Sequence, residues 1–250
     1  MATKIAISTH KGGSGKTVTA LALAAGLAQD GQRCLLIDLD PQGHCSPGLG
    51  LEIGTPTLKE FFERHPSLPL TDLVRHTYLD NLDVVPSDLG LAWVAEGLSG
   101  RPKREELLAR SLRALEPEYE WIVMDTPPNL GVLTQNAVSA ADFVVIPTSP
   151  DARAVNAIID LLDLVRVMKG DAFNKWGILM TKVDSRKSRT NTAIRDALEP
   201  WNGKVFQTVI PQSEPLNQAQ MESKDIFTFD PACSGAIAYR QFINEFTKSL

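Results

Sequence analysis

Three cysteines in 250 residues, Cys34, Cys45 and Cys233, stand far apart and form no C-x-x-C pair. That excludes a disulfide framework and a structural zinc site, and makes a reducing cytosol the default setting. Long apolar runs are also missing. The longest, Ala20 to Ala28, falls well short of the ~20 residues that cross a bilayer. Met-Ala-Thr-Lys leads directly into the first predicted strand and leaves no room for a signal peptide. Positive charge is not in excess. The formal net charge of −5 argues against a globally basic nucleic-acid binder and leaves only a local basic patch open. Repeats, low-complexity tracts and linker-like Ser/Gly/Pro runs do not occur, so a single domain over 1–250 is expected. A hydrophobic content of 43% and a charged content of 22% suit a soluble globular chain with a large core.

What is there is alternation. Strand and helix signals follow each other from end to end, which predicts an α/β fold: a mainly parallel, twisted sheet flanked by helices on both faces. Lys4–Ser8, Arg33–Asp38, Asn81–Pro86, Tyr119–Asp125, Phe143–Pro147, Trp176–Thr181 and Val205–Ile210 read as strands. Helices are predicted over Val18–Gln29, Leu58–His65, Leu70–Thr77, Leu89–Leu98, Lys103–Leu115, Leu130–Ala140, Ala152–Lys169, the segment up to about Leu198, and Gly235–Lys248. Cys45 to Pro56, rich in Gly and Pro, reads as a loop.

The stretch that organises the chain is His10-Lys11-Gly12-Gly13-Ser14-Gly15-Lys16-Thr17-Val18, set between the first strand and the first helix. A glycine-rich strand-to-helix turn directs backbone N–H groups and a helix N-terminus at one spot, which suits phosphate. Lys16 supplies an ammonium for the β- and γ-phosphates, and Thr17 a hydroxyl for Mg²⁺. The standard spacing would place glycine where His10 stands, and a second lysine, Lys11, follows instead. Two strands end in acid, at Asp38 and Asp125, and Asp40 lies on the turn beyond the first of them. In a parallel sheet these strand ends gather at the edge where the loop lies. Asp125, after Trp-Ile-Val-Met, suits an acid that holds Mg²⁺ through water. Asp40 is placed to aim at an attacking water, and Asp38 to organise the metal shell or the loop.

Lys11-Gly-Gly-Ser-Gly-Lys16-Thr17, Asp38-Leu-Asp40-Pro-Gln-Gly43 and Asp125-Thr-Pro-Pro-Asn-Leu-Gly131 resemble, in this order, the deviant Walker A, A′ and B motifs of the ParA/MinD ATPases. Asp142–Pro147, Thr181–Asp184 and Val209–Pro211 also resemble segments of that family, and the partition branch fits best. The resemblance implies a P-loop NTPase of the SIMIBI type with ATP and Mg²⁺ as cofactors. Gly12, Gly13, Ser14, Gly15, Lys16, Thr17, Val18 and Pro211 would line the nucleotide. Lys11 would be the signature lysine that reaches across an ATP-dependent homodimer to the partner's phosphates, a cation added where charge develops. The catalytic set is then Lys11, Lys16 and Asp40, and the metal set Thr17, Asp38 and Asp125. Val18 replaces a hydroxyl usual in the family, which would remove one α-phosphate contact. Thr181-Lys182-Val183-Asp184 also resembles the guanine-reading motif of GTPases, but its setting favours ATP.

The resemblance further implies nonspecific DNA binding, with Lys182, Arg186, Lys187 and Arg189, extended by Arg195 and Lys204, as the cations. Two departures stand against a direct carry-over: Gln212 where Arg is frequent, and Ala232-Cys233-Ser234 where basic residues are common. A ParB-like protein or an adaptor would stimulate hydrolysis, and slow basal turnover and a cytoplasmic, nucleoid-associated location would follow. Plasmid, chromosome and protein assemblies all remain open as cargo, and no extra N-terminal DNA-reading domain is expected. A MinD-like membrane helix would need a basic amphipathic tail. The terminal stripe Ile237, Phe242, Ile243, Phe246 and Leu250 carries few cations, and core packing is expected of it. The cysteines do not fit an iron–sulfur relative, nor the tyrosines a tyrosine-kinase relative.

Overall fold

Cys34–Asp38 and Phe143–Thr148 are buried at every position. A strand that is apolar on both faces must be covered on both, which in practice means a parallel sheet between helical layers. The computed structural model, which describes residues 1–250, has this architecture. In chain order the elements are β1 (Thr3–Ile7), α1 (Lys16–Gln29), β2 (Cys34–Asp38), α2 (Cys45–Gly48), α3 (Leu58–Arg64), β3 (Arg75–His76), β4 (Leu82–Val85), α4 (Gly90–Gly97), α5 (Leu107–Leu112) and β5 (Trp121–Asp125). There follow α6 (Val132–Ala140), β6 (Phe143–Thr148), α7 (Ala154–Lys169), β7 (Trp176–Val183), α8 (Ser188–Ala197), β8 (Val205–Pro211), α9 (Glu214–Met221), α10 (Ile226–Phe229) and α11 (Ser234–Lys248).

The eight strands form one sheet in the order β3-β4-β2-β5-β1-β6-β7-β8. Only the edge pair β3–β4 is antiparallel. β1 lies between β5 and β6, so the chain leaves it to one side and later returns to the other. That reversal opens a crevice at the carboxyl end of β1, where ligands bind in open α/β sheets. Alternate side chains of β1 feed separate cores. Ile5 and Ile7 join α1, α9, α10 and α11, and Ala6 faces the layer of α3 to α8. Phe242 and Phe246 of α11 pack edge-on against Phe206 and Phe143, at centroid separations of 5.1 and 5.2 Å. Each such ring removed from water contributes roughly 2–3 kcal/mol.

Several predicted elements differ in extent. Of Leu70–Thr77 only Leu70–Leu73 turns, as a 3₁₀ segment, and Arg75–His76 then pairs with the otherwise open edge of β4. Lys103–Leu115 is α-helical only over Leu107–Leu112, because Lys103 is left-handed (φ 55°) and the Asn136 amide oxygen takes the Leu108 N–H. Within the expected loop, Cys45–Gly48 forms a helical turn. Between the last strand and the last helix, α9 and α10 had no predicted counterpart. Pro215 in the first turn of α9, and Asp225, whose carboxylate accepts the N–H groups of Phe227 and Thr228, are their start signals. Phe242, Ile243 and Phe246 are buried as expected of core, while Ile237 and Leu250 are about half exposed. No helix is long and apolar enough to cross a membrane.

Candidate nucleotide site

β1 ends at Ile7, and the chain loops to Gly15 before α1 begins. Gly15 is left-handed (φ 84°, ψ 23°), a conformation costly for any residue with a Cβ, and its open side faces Thr181 at 3.7 Å. The loop is fixed from its neighbours: the Thr181 hydroxyl donates to the Ser14 carbonyl at 2.7 Å, and that of Thr126 to the Ile7 carbonyl at 3.0 Å. Nothing in the sequence but the position of these threonines at strand ends signals that role.

The two loop lysines sit differently. Lys16 is only 6% exposed, and its ammonium donates to the Lys11 carbonyl at 3.0 Å. Burial lowers its pKa, with Asp125 and Asp40 opposing. A buried ammonium with one neutral acceptor is an incomplete site that phosphate oxygens complete. The Lys11 side chain instead runs outward to Ser149 and Asp151, in the loop after β6. Its ammonium donates to the Ser149 hydroxyl at 2.8 Å and pairs with the Asp151 carboxylate. Neither partner was expected from the sequence, since Thr-Ser-Pro-Asp reads only as a turn.

β2 and β5 are neighbours, with Asp38 beside Asp125 in register. Both carboxyl groups are fully buried. Burial, followed by mutual repulsion at Asp38, pushes both well above the usual carboxylate range. The Asp38 oxygens accept the N–H groups of Asp40 (3.1 Å) and Cys45 (2.9 Å), so this acid ties down the loop between β2 and α2. The turn at Cys45–Gly48 follows from that anchor. Asp40 is partly exposed, and one of its oxygens accepts the Gln42 N–H at 3.0 Å. Gly43 closes the same turn at φ 64°, and a Cβ there would lie 2.7 Å from the Ser87 carbonyl oxygen.

Asp125 Oδ1 is buried without a hydrogen-bond partner, while the Thr17 hydroxyl and Lys16 ammonium favour its ionised form. An orphaned carboxylate oxygen beside a hydroxyl and a phosphate loop is the donor set that a hydrated Mg²⁺ satisfies, so these residues fit the ion. Beside the loop lies a cavity of about 180 Å³, lined in part by Gly15, Val18, Thr181, Pro211, Asn217 and Tyr239. Val18 and Pro211 therefore line the same cavity. Asp184, the residue that would read guanine, does not line this cavity. Its carboxylate is held by the Arg186 guanidinium at 2.9 and 2.8 Å, which lowers it to about 2. The four candidate DNA contacts are exposed and lie within one short segment, but Arg186 is already paired, leaving Lys182, Lys187 and Arg189 as the free cations.

A strand, glycine loop and helix at the switch point of a parallel sheet, flanked by acid-tipped strands, define a P-loop nucleotide-binding protein. The family profile described as an AAA domain matches residues 2–176. The chain is 36% identical to the sporulation initiation inhibitor protein Soj of Bacillus subtilis over 244 residues, 96% of each chain. It is 33% identical to the chromosome partitioning protein ParA of Caulobacter vibrioides over 246 residues, 96% of this chain and 92% of that one. Among solved structures, Cyanothece apo McdA superposes with a TM-score of 0.87 at 25% identity, covering 98% of this chain and 99% of McdA. Cobyrinic acid a,c-diamide synthase of Mycobacterium smegmatis, with a bound ATP analogue and magnesium, gives 0.81 at 26% identity, covering 99% and 95%. The chain belongs to the ParA/MinD superfamily of deviant Walker A P-loop ATPases, in its ParA branch. Nucleotide hydrolysis of the P-loop type is the chemistry of that family, and the residues of this site fit ATP and Mg²⁺.

Proposed function

We propose that this chain, acting as one domain, is a DNA partition ATPase that forms an ATP-dependent sandwich dimer, binds DNA nonspecifically in that state, and is reset when a ParB-like or adaptor protein stimulates hydrolysis. The observation that carries this reading is the division of labour between the two loop lysines. Lys16 fills its own cradle, and the Lys11 ammonium lies outside it, held only by a hydroxyl and a carboxylate from which it can be released toward a second subunit. Gly12, Gly13, Ser14, Gly15 and Thr17 would supply the rest of the phosphate cradle, and Val18 and Pro211 the wall for the base. Thr17 would hold Mg²⁺ directly and Asp125 through water, with Asp38 shaping the loop behind them. Held there, the ion would supply positive charge to offset that of the phosphates. Asp40 would orient the attacking water once its turn closes on the γ-phosphate.

Lys11 of a second subunit would complete the charge at the transferring phosphoryl group, so a lone subunit turns over slowly. Lys182, Lys187 and Arg189 would supply the DNA contacts in a cytoplasmic, nucleoid-associated protein. With three cations from each of two subunits, the slope of log K against log salt is expected near −5. Sedimentation with a nonhydrolysable ATP analogue, followed by DNA titration across a salt series, tests both steps. A chain that stays monomeric, or binds DNA without salt dependence, contradicts the reading. A second reading, positioning of a protein assembly, is favoured by the likeness to McdA. It uses the same ATP cycle, and identification of the stimulating partner separates the two.

A further inference from the structure

Cys45 is fully buried at the start of α2, between the two acid-tipped strands. Its thiol donates to Asp125 Oδ2 at 3.7 Å, while its backbone N–H donates to Asp38 Oδ2 at 2.9 Å. One ligand atom each from Asp38, Cys45 and Asp125 lie within 4.8 Å of one another, all buried. Independently, Asp125 Oδ1 in the same cluster is buried with no partner. We propose that Cys45 Sγ and the carboxylates of Asp38 and Asp125 form a binding site for a thiophilic divalent cation of the Zn²⁺ class, sharing Asp125 with the Mg²⁺ that accompanies ATP but adding a sulfur ligand.

The geometry suits tetrahedral coordination. With Zn–S near 2.3 Å and Zn–O near 2.1 Å, the sulfur-to-oxygen edge of a tetrahedron is about 3.6 Å. The Cys45–Asp125 separation of 3.7 Å already has that length. The third ligand needs only a contraction of about 1 Å from the 4.8 Å limit to reach the same edge. Asp38 Oδ2 keeps a lone pair for the metal while accepting the Cys45 N–H. A water would fill the fourth position. On binding, the thiol proton and any proton held by the two buried carboxyl groups pass to solvent, and no electron moves. One thiolate and two carboxylates against a dication leave a single negative charge, which the neighbouring Lys16 ammonium offsets. Mg²⁺ does not favour the Cys45 sulfur, because it prefers six oxygen ligands and has little affinity for sulfur. A cation held here would draw Asp125 away from Thr17, so Zn²⁺ and Mg-nucleotide are expected to exclude one another.

The test uses the full chain without nucleotide, and so stands whether or not the ATP-dependent dimer forms. Zn²⁺ is titrated against a chromophoric chelator, and Co²⁺ serves as a spectroscopic probe. The expected result is one equivalent of tight Zn²⁺ and a thiolate-to-cobalt charge-transfer band. Both should be lost in Cys45→Ser, which keeps a donor to Asp125, and retained in Cys233→Ser. Loss of a direct ligand is expected to weaken Zn²⁺ by on the order of 100-fold or more. Mg-dependent ADP binding should fall in the zinc-loaded protein. A cobalt spectrum of the folded wild-type chain with no thiolate band overturns the proposal, whatever the fate of the variants. Zinc binding that survives Cys45→Ser overturns it equally, since the cation would then reside on surface groups.

Discussion

Releasing Lys11 from its own chain should make the dimer tighter. The ammonium rests on Ser149 and Asp151, with side-chain exposures of 22% for Lys11 and 38% for Asp151. Ser149 in turn donates to Asp151 Oδ2 at 2.9 Å, and Asp151 Oδ1 accepts the Arg153 N–H at 3.0 Å. Asp151→Asn keeps the bond to the Arg153 N–H through its amide oxygen, and removes both the charge that holds Lys11 and the Oδ2 acceptor it shares with Ser149. A charge-assisted pair at this intermediate exposure contributes about 1 kcal/mol. Two copies must open for two lysines to cross, so the monomer loses about 2 kcal/mol of competing stabilisation per dimer, or roughly thirtyfold in the dimer dissociation constant. Sedimentation velocity across a protein dilution series, with a nonhydrolysable ATP analogue and Mg²⁺, measures this directly. A variant that dimerises no more tightly than the wild type refutes the reasoning. Weaker dimerisation would go further and show that Asp151 supports Lys11 in its bridging position.

Asp40→Ala and Lys16→Ala should separate binding from chemistry. The first is expected to keep ATP binding while turnover falls by about 10²- to 10⁴-fold, leaving a persistent DNA-bound dimer. The second should lose nucleotide binding itself, because a buried ammonium is removed from the cradle; calorimetry with ADP and a phosphate-release assay distinguish them. Gly43→Ala forces a Cβ onto a left-handed residue and to within 2.7 Å of the Ser87 carbonyl oxygen. A loss of roughly 1–3 kcal/mol is expected, readable as a lower urea midpoint, together with slower hydrolysis as the Asp40 turn shifts. The pH dependence of the nucleotide-free protein should run opposite to ordinary acid denaturation over part of its range. Asp38 and Asp125 are raised by folding, so the folded state binds more protons than the unfolded one between the ordinary carboxylate range and neutrality. Their contribution is then fully present below the unfolded pKa and is lost as pH rises through the folded one. Chemical denaturation at several pH values should show this loss, and Asp125→Asn should flatten it.

Much of the sheet was legible because its central strands are short, continuous apolar runs bounded by turn residues, and the loop because glycine and lysine spacing has a mechanical reason. The acids at the ends of β2 and β5 could be placed together from topology alone. What pattern could not reach were contacts made across the chain. Asp151 meets Lys11 over a sequence separation of 140 residues, and its local sequence signals only a turn. Cys45 looked like one more residue in a glycine- and proline-rich loop until the Asp38 carboxylate was seen to anchor its backbone. Arg186 counted as a free cation by composition, yet Asp184 two residues earlier neutralises it. The edge strand β3 was hidden for a different reason. Two residues are too few for any periodicity, and the pairing is dictated by the open side of β4.

The hydrogen bond from Lys16 to the Lys11 carbonyl makes the loop an internal partner for its own lysine. The donor that a phosphate would claim is occupied by the backbone of the residue whose side chain faces outward. A phosphate that claims this donor would displace that carbonyl, and the segment carrying Lys11 would lose an internal tether. Occupancy would thus be reported to the outward-facing lysine through one exchanged bond, with no shift of the sheet required. Readiness to meet a second subunit would then be a local property of the six residues from Lys11 to Lys16.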